Sequence, residues 1–164
     1  KGATSTTGEM VYLTEEIRND TVLGTEDIDY FFRYEVSGNS NMTVDMALYG
    51  VYSGTYKISA IMAPSRTDLA FAGVPEQCVF YAEVLDDNGK VLKKSEDIEI
   101  SQDEVARYTL FEEFTFDKCY AGLPSGYTSF PRLRFNLPFL YQMKKGNCKT
   151  LNLVKIVLEP CREK

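Results

Sequence analysis

Apolar and polar residues alternate with a period of two along most of this chain. In residues 28–36 (IDYFFRYEV), Ile28, Tyr30, Phe32, Tyr34 and Val36 alternate with Asp29, Phe31, Arg33 and Glu35. That spacing sends successive side chains to opposite faces of a strand and predicts one buried face. After turn chemistry at Ser37–Asn41 (SGNSN), residues 42–48 set Val44, Met46 and Leu48 against Thr43, Asp45 and Ala47. In 56–63 (YKISAIMA), Tyr56, Ile58, Ala60 and Met62 share a face, and Pro64, which has no N–H for a ladder, stops the run. Residues 78–85 (CVFYAEVL) read as a strand whose partner begins at Val91 and Leu92. Between them, Asp86–Lys90 (DDNGK) holds an Asn-Gly pair, which predicts a type I′ hairpin because both central residues of that turn need φ > 0.

The second half continues the pattern. Ile98 and Ile100 mark a short extended piece. Ser101–Tyr108 (SQDEVARY) predicts one helical turn, with Ser101 as N-cap and Glu104 closing a capping box. In 109–117, Leu110, Glu112, Phe114 and Phe116 oppose Phe111, Glu113, Thr115 and Asp117. In 132–137, Leu133, Phe135 and Leu137 point inward and Arg132, Arg134 and Asn136 outward. Leu151–Leu158 (LNLVKIVL) is the last strand, ended by Pro160, and 64–77, 118–131 and 138–150 are loops. About nine strands spaced roughly 8–12 residues apart predict an all-β fold. Long crossing loops favour a two-sheet antiparallel β-sandwich of jelly-roll or Greek-key topology over a meander barrel. At 164 residues the chain suits one domain. Residues 1–9 (KGATSTTGE) read as a flexible tether, left by a removed signal or ending a linker, and 10–164 as a single sandwich domain.

Composition narrows the chemistry. Tyr 11, Phe 10 and Trp 0 lean toward strands. A net charge of −6 argues against nucleic acid, which needs clustered cations, and against docking on an anionic membrane. No apolar run reaches the ~20 residues of a membrane span. The chain has no histidine, which excludes Ser-His-Asp and Cys-His catalysis and removes the commonest transition-metal ligand. Cys78, Cys119, Cys148 and Cys161 form no C-x-x-C pair. They are either free buried thiols or two disulfides. Cys119–Cys148 and Cys78–Cys161 is the pairing that fits, provided the last strand lies between the two strands that Cys119 closes and Cys78 opens.

Several segments resemble a known family. Gly54-Thr55-Tyr56-Lys57-Ile58 followed by Ile61-Met62-Ala63-Pro64 resembles a pattern of β-sandwich domains that accompany fasciclin-type repeats in surface lipoproteins of Bacteroidetes-type bacteria. Leu153–Pro160 (LVKIVLEP) is similar to the closing strand of those domains and of many jelly-roll carbohydrate-binding modules. Phe114–Asp117 and Arg132–Phe135 stand where such domains have their penultimate strands. The resemblance spans residues 9–160. It implies a secreted, lipid-tethered, non-catalytic adhesion or glycan-binding module at the cell surface or in the periplasm, and it transfers no site residues. The absence of Trp departs from glycan-binding modules, whose platforms often use it.

Candidate chemistry concentrates in loop aromatics. Tyr120, Tyr127 and Phe130 sit among Gly122, Pro124, Ser125 and Gly126, with Arg132 and Arg134 just beyond. Rings on loops of a rigid sandwich stack on sugars or grip a partner, and arginine bonds hydroxyls or carboxylates. The bland alternative is that the rings cap the core and the arginines form a solvated face. Tyr49, Tyr52 and Tyr141 extend the aromatic set, or pack at strand ends. Asp86, Asp87 and Asn88 hold calcium-type ligands, but the hairpin turn accounts for them. Of the carboxylates, Glu112 and Glu113 point to opposite faces of a regular strand, and neither they nor Asp97 and Glu99 single out a glycosidase pair. The expectation is a non-enzymatic, cofactor-free extracellular module whose partner is a polysaccharide or a cell-surface protein. A structural or assembly domain without a small ligand is the alternative.

Overall fold

The computed structural model describes residues 6–12, 30–36, 41–63, 78–100, 105–138 and 150–162. The alternating segments form strands in the order β1 (Thr6–Tyr12), β2 (Tyr30–Val36), β3 (Met42–Ala47), β4 (Gly54–Ala63) and β5 (Cys78–Leu85). These are followed by β6 (Val91–Lys94), β7 (Ile98–Ile100), β8 (Ala106–Phe116), β9 (Arg132–Leu137) and β10 (Thr150–Pro160). One sheet runs β1-β2-β10-β4-β8; the other runs β3-β9-β5-β6, with β7 also paired to β5. Every pairing is antiparallel. The chain changes sheet at β2–β3, at each step from β3 to β5, and at each step from β7 to β10, which is the jelly-roll form of the expected sandwich.

The core lies between the sheets. Ile58, Ala60 and Met62 of β4 meet Phe80, Ala82 and Val84 of β5 and Leu133, Phe135 and Leu137 of β9 within one cluster. Phe80 and Phe135 pack with ring centroids 5.6 Å apart. Each such fully buried side chain contributes about 1.5–3 kcal/mol relative to exposure. The last six residues of β4, Ile58–Ala63, are all buried, so this central strand is covered on both faces rather than one.

Three strands depart from strict alternation, and the pairings show why. In β10, Leu151 and Leu153 face the core, the register shifts between Leu153 and Lys155, and Ile156 and Leu158 then take the core side. One extra residue in the strand reverses the phase, as a β-bulge does. In β8, shifts on either side of the Ile58–Phe111 pair bring Tyr108, Phe111 and Phe114 in turn against Ala60, Ile58 and Tyr56. Glu112 and Glu113 sit at the second shift and are both exposed, so they are not held on opposite faces of a regular strand. The third departure is on the flank of β5, where β6 and β7 lie end to end around a break at Ser95–Asp97. There the Ser95 N–H donates to the Ala82 carbonyl at 2.8 Å, and the Ala82 N–H donates to Ser95 Oγ at 2.8 Å. A side-chain oxygen thus replaces the carbonyl that the break removes from the ladder.

Four expectations need correction. Thr6–Glu9 are not tether: they pair with Arg33–Val36 as part of β1, because a terminal segment with a free sheet edge beside it gains ladder hydrogen bonds. The helical turn does not form over Ala106–Tyr108, which extends β8 against Ala60–Met62; Ser101 and Glu104 lie outside the described residues. The hairpin is present, but its loop is the three residues Asp87–Gly89, not a two-residue type I′ turn. Asp86 N–H donates to Lys90 O at 2.8 Å, Gly89 N–H donates to Asp86 O at 3.1 Å, and Gly89 takes φ 84°. That is the pattern of a turn closed by a left-handed glycine. Lastly, the premise of both cysteine pairings fails, because β10 lies between β2 and β4, not between β5 and β8. The thiols of Cys119 and Cys161 are free, and Cys148 lies outside the described residues.

Candidate functional site

The β3–β4 connection and the long β8–β9 connection meet at one end of the sandwich. Two backbone hydrogen bonds join them: Leu48 N–H to Pro131 O at 2.9 Å and Tyr120 N–H to Val51 O at 2.6 Å. Between these ties the β3–β4 chain turns at Tyr49-Gly50, where Gly50 takes φ 67°, a left-handed conformation that other residues adopt at a cost. The turn pushes Tyr49 outward to 73% exposure, and Tyr52 beyond it is 67% exposed.

Three rings form a chain across the two loops. Phe130 is half-buried and receives Tyr49 edge-on at 4.7 Å and Tyr127 edge-on at 5.6 Å. Tyr127 is 41% exposed. Edge-to-face packing at these separations is the favoured aromatic geometry and holds the outer rings without covering them. The first two sequence candidates therefore merge into one surface. Tyr141, the remaining member of the second set, lies outside the described residues.

Beside these rings runs an apolar groove of about 620 Å³. Tyr49, Tyr52 and Tyr56 line it from the β3–β4 side, and Ile156 and Leu158 of β10 form part of its wall. Tyr56 Oη donates to the Tyr52 carbonyl at 2.9 Å, which ties the groove's inner tyrosine to its outer one. Sequence reasoning placed Tyr56 on one strand face with Ile58, Ala60 and Met62 and gave Ile156 and Leu158 only a place in the last strand. The signal that marks them is the phase reversal at Val154-Lys155, visible in LNLVKIVL once a bulge is allowed.

The other candidates separate from this surface. Tyr120 is buried, at 7% exposure, so its ring supports the loops and does not face solvent. Burial first, then the negative charge of Asp87, hold its hydroxyl above the ordinary phenol range. Lys118 pairs with Asp87 at 3.2 Å, and that contact raises the lysine as well. Arg134 grips Asp45 in a two-pronged contact, Nε to Oδ1 at 2.6 Å and Nη2 to Oδ2 at 2.9 Å, across the β3–β9 pair. The hydrogen bonds to Asp45 push its guanidinium further up. Arg132 also approaches Asp45, at 3.8 Å. The two arginines therefore belong to a polar cross-strand face of β3 and β9, which Glu83 extends by accepting from Asn136 Nδ2 at 2.8 Å. They do not join the aromatic surface.

The Asp86–Asn88 turn borders a smaller cavity of about 230 Å³ shared with Asp117, Lys118 and Tyr120. Asp86 Oδ1 accepts the N–H groups of Asn88 at 2.9 Å and Lys90 at 2.8 Å, so its carboxylate is taken up by the turn. Among the described residues no three His, Cys, Asp or Glu side chains are grouped to hold a metal ion. Asp97 and Glu99 are exposed beside β7, where Glu99 pairs with Val79.

No family model matches the chain, and neither does any curated protein. Among solved structures it is similar to a GH51 α-L-arabinofuranosidase in its arabinose-bound form, with a TM-score of 0.54 at 14% identity. The likeness covers 96% of this chain and 23% of that one. The chain thus spans about a quarter of that protein's length, and at this identity the likeness concerns the fold alone.

Proposed function

We propose that this domain is a non-enzymatic glycan-binding module that holds a saccharide chain on the exposed rings of Tyr49, Tyr52 and Tyr127. The observation that carries this reading is the pair of backbone hydrogen bonds joining the two loops, Leu48 to Pro131 and Tyr120 to Val51. They fix exposed tyrosines from distant parts of the sequence on one end of the sandwich before any ligand arrives. A preorganised aromatic surface avoids much of the ordering cost of binding. Tyrosine supplies a flat apolar face and a hydroxyl at its edge, which suits a sugar with one apolar face and hydroxyls around its rim. The arabinofuranosidase likeness supports a carbohydrate-associated setting, and such a module acts outside the cytoplasm, where polymeric glycans are met.

The test is affinity electrophoresis of the purified domain through gels containing a panel of host and plant polysaccharides. Retardation by at least one polymer, weakened about tenfold or more in Tyr49→Ala and Tyr127→Ala, is the expected result. Tyr127→Ala removes a stacked ring worth about 0.5–1.5 kcal/mol beyond its buried area, and each 1.4 kcal/mol is tenfold in affinity. Uniform mobility across the panel would transfer the assignment to a protein-contacting or purely structural domain.

A further inference from the structure

The ligand's charge class follows from the groove, and this inference rests on the glycan-binding reading above. We infer that the groove beside Tyr49 and Tyr52 takes uncharged polysaccharide chains and rejects uronate- or sulfate-bearing ones. Among the described residues, none of the side chains lining the groove is charged, although 26% of the chain's residues are and its net charge is −6. A carboxylate or sulfate entering such a lining loses its hydration without meeting a counter-charge, and an unpaired ion in apolar surroundings is strongly disfavoured.

Three described cations on or beside the two loops already have carboxylate partners. Arg134 is held by both oxygens of Asp45, Arg132 shares that carboxylate, and Lys118 faces Asp87. The overall negative charge adds a repulsive field that slows the approach of any polyanion. What the groove offers is ring surface from Tyr52 and Tyr56, an aliphatic wall from Ile156 and Leu158, and hydroxyls at the tyrosine edges. Apolar faces with a few orienting hydrogen-bonding groups are the usual lining of a ligand cleft, and about 620 Å³ lies within the usual size range. Sugars that carry only hydroxyls match that chemistry. A proline-rich peptide is the other extended ligand that aromatic grooves take. A polyproline peptide added as a competitor separates the two ligand classes.

The experiment runs wild type, Tyr52→Ala and Tyr52→Arg through gels containing neutral arabinan, neutral xylan or anionic polygalacturonate, at 50 and 500 mM salt (on the order of ionic strengths that separate screened from unscreened contacts). Tyr52 is largely exposed, so neither substitution threatens the fold. A neutral polymer is expected to retard the wild type equally at both salts and Tyr52→Ala about tenfold less, with polygalacturonate inert. Tyr52→Arg is expected to gain salt-sensitive retardation by polygalacturonate. Tyr52-dependent retardation of the wild type by polygalacturonate alone would overturn the charge inference and leave the glycan-binding reading standing. Retardation by none of a wider polysaccharide panel would remove both. Tyr52-dependent binding of a polyproline peptide, with every polymer inert, would replace the ligand class altogether.

Discussion

Tyr120 and Tyr127 lie seven positions apart in one loop, and their roles diverge through contacts that local sequence does not announce. Tyr127 stacks on Phe130 at the surface, while Tyr120 turns inward under the loop that its own N–H ties to Val51. Replacing Tyr120 with Ala removes a buried ring, and comparable truncations cost about 3–5 kcal/mol; urea unfolding is expected to show a loss of that order. Tyr120→Phe keeps the packing and tests the hydroxyl. Because burial raises the folded-state pKa of Tyr120, the folded state favours the protonated phenol. That contribution is fully present below about pH 10, the phenol's unfolded value, and is lost as pH climbs through the raised folded value. Wild type should therefore lose stability above about pH 10 more steeply than Tyr120→Phe; identical alkaline limbs would show that the hydroxyl is not desolvated. The same residue-scale logic separates the cysteines. Cys119 is exposed with a free thiol, so Cys119→Ser should leave the non-reducing unfolding midpoint within about 0.5 kcal/mol. A loss of about 2–5 kcal/mol would signal a disulfide instead.

At the scale of strands, the period-two pattern located most elements, because strands such as β9 bury one face in the space between the sheets. It failed at β8 and β10, where bulges reverse the phase, and no one-dimensional periodicity registers an insertion that only a partner strand defines. It also misread Ala106–Tyr108, whose capping-box signature is local and weak beside a row of ladder bonds to β4. The Ser95 break has a checkable energetic consequence. Ala82 is fully buried, and its N–H has Ser95 Oγ as acceptor. Ser95→Ala leaves that donor unsatisfied, which costs about 1–3 kcal/mol, whereas Ser95→Thr keeps the oxygen; denaturant midpoints that fall for Ala and hold for Thr are expected. Equal midpoints for all three would mean that water satisfies the donor. The register shift at Glu112-Glu113 also interrupts the β8 ladder, and Lys93 Nζ donates to the Glu113 carbonyl at 2.9 Å. A charged lid and an interrupted ladder blunt this strand against pairing with another chain, which weighs against strand exchange there as the basis of an assembly role.

For the molecule as a whole, the jelly-roll connectivity assembles the candidate site. Successive crossings between sheets bring the β3–β4 and β8–β9 loops to one end, and the last strand supplies the groove wall beside them. Loop aromatics were legible as a class of candidates, but their grouping was not, since Tyr49 and Phe130 meet at 4.7 Å from positions 81 residues apart (130 − 49). The contact of Arg132 and Arg134 with Asp45 was hidden for the same reason, since Asp45 sits on a strand that only the register identifies as a neighbour. The most direct measurement of the central claim is an NMR titration of the isotope-labelled domain with oligosaccharides cut from neutral arabinan and xylan, following backbone amides. The account predicts saturable shifts at residues 48–53, 127–130 and 156–158, with the Asp45–Arg134 face unmoved. Shifts centred on Asp45, Arg134 and Glu83, with the tyrosine loops silent, would contradict it and place recognition on the polar outer face of the second sheet.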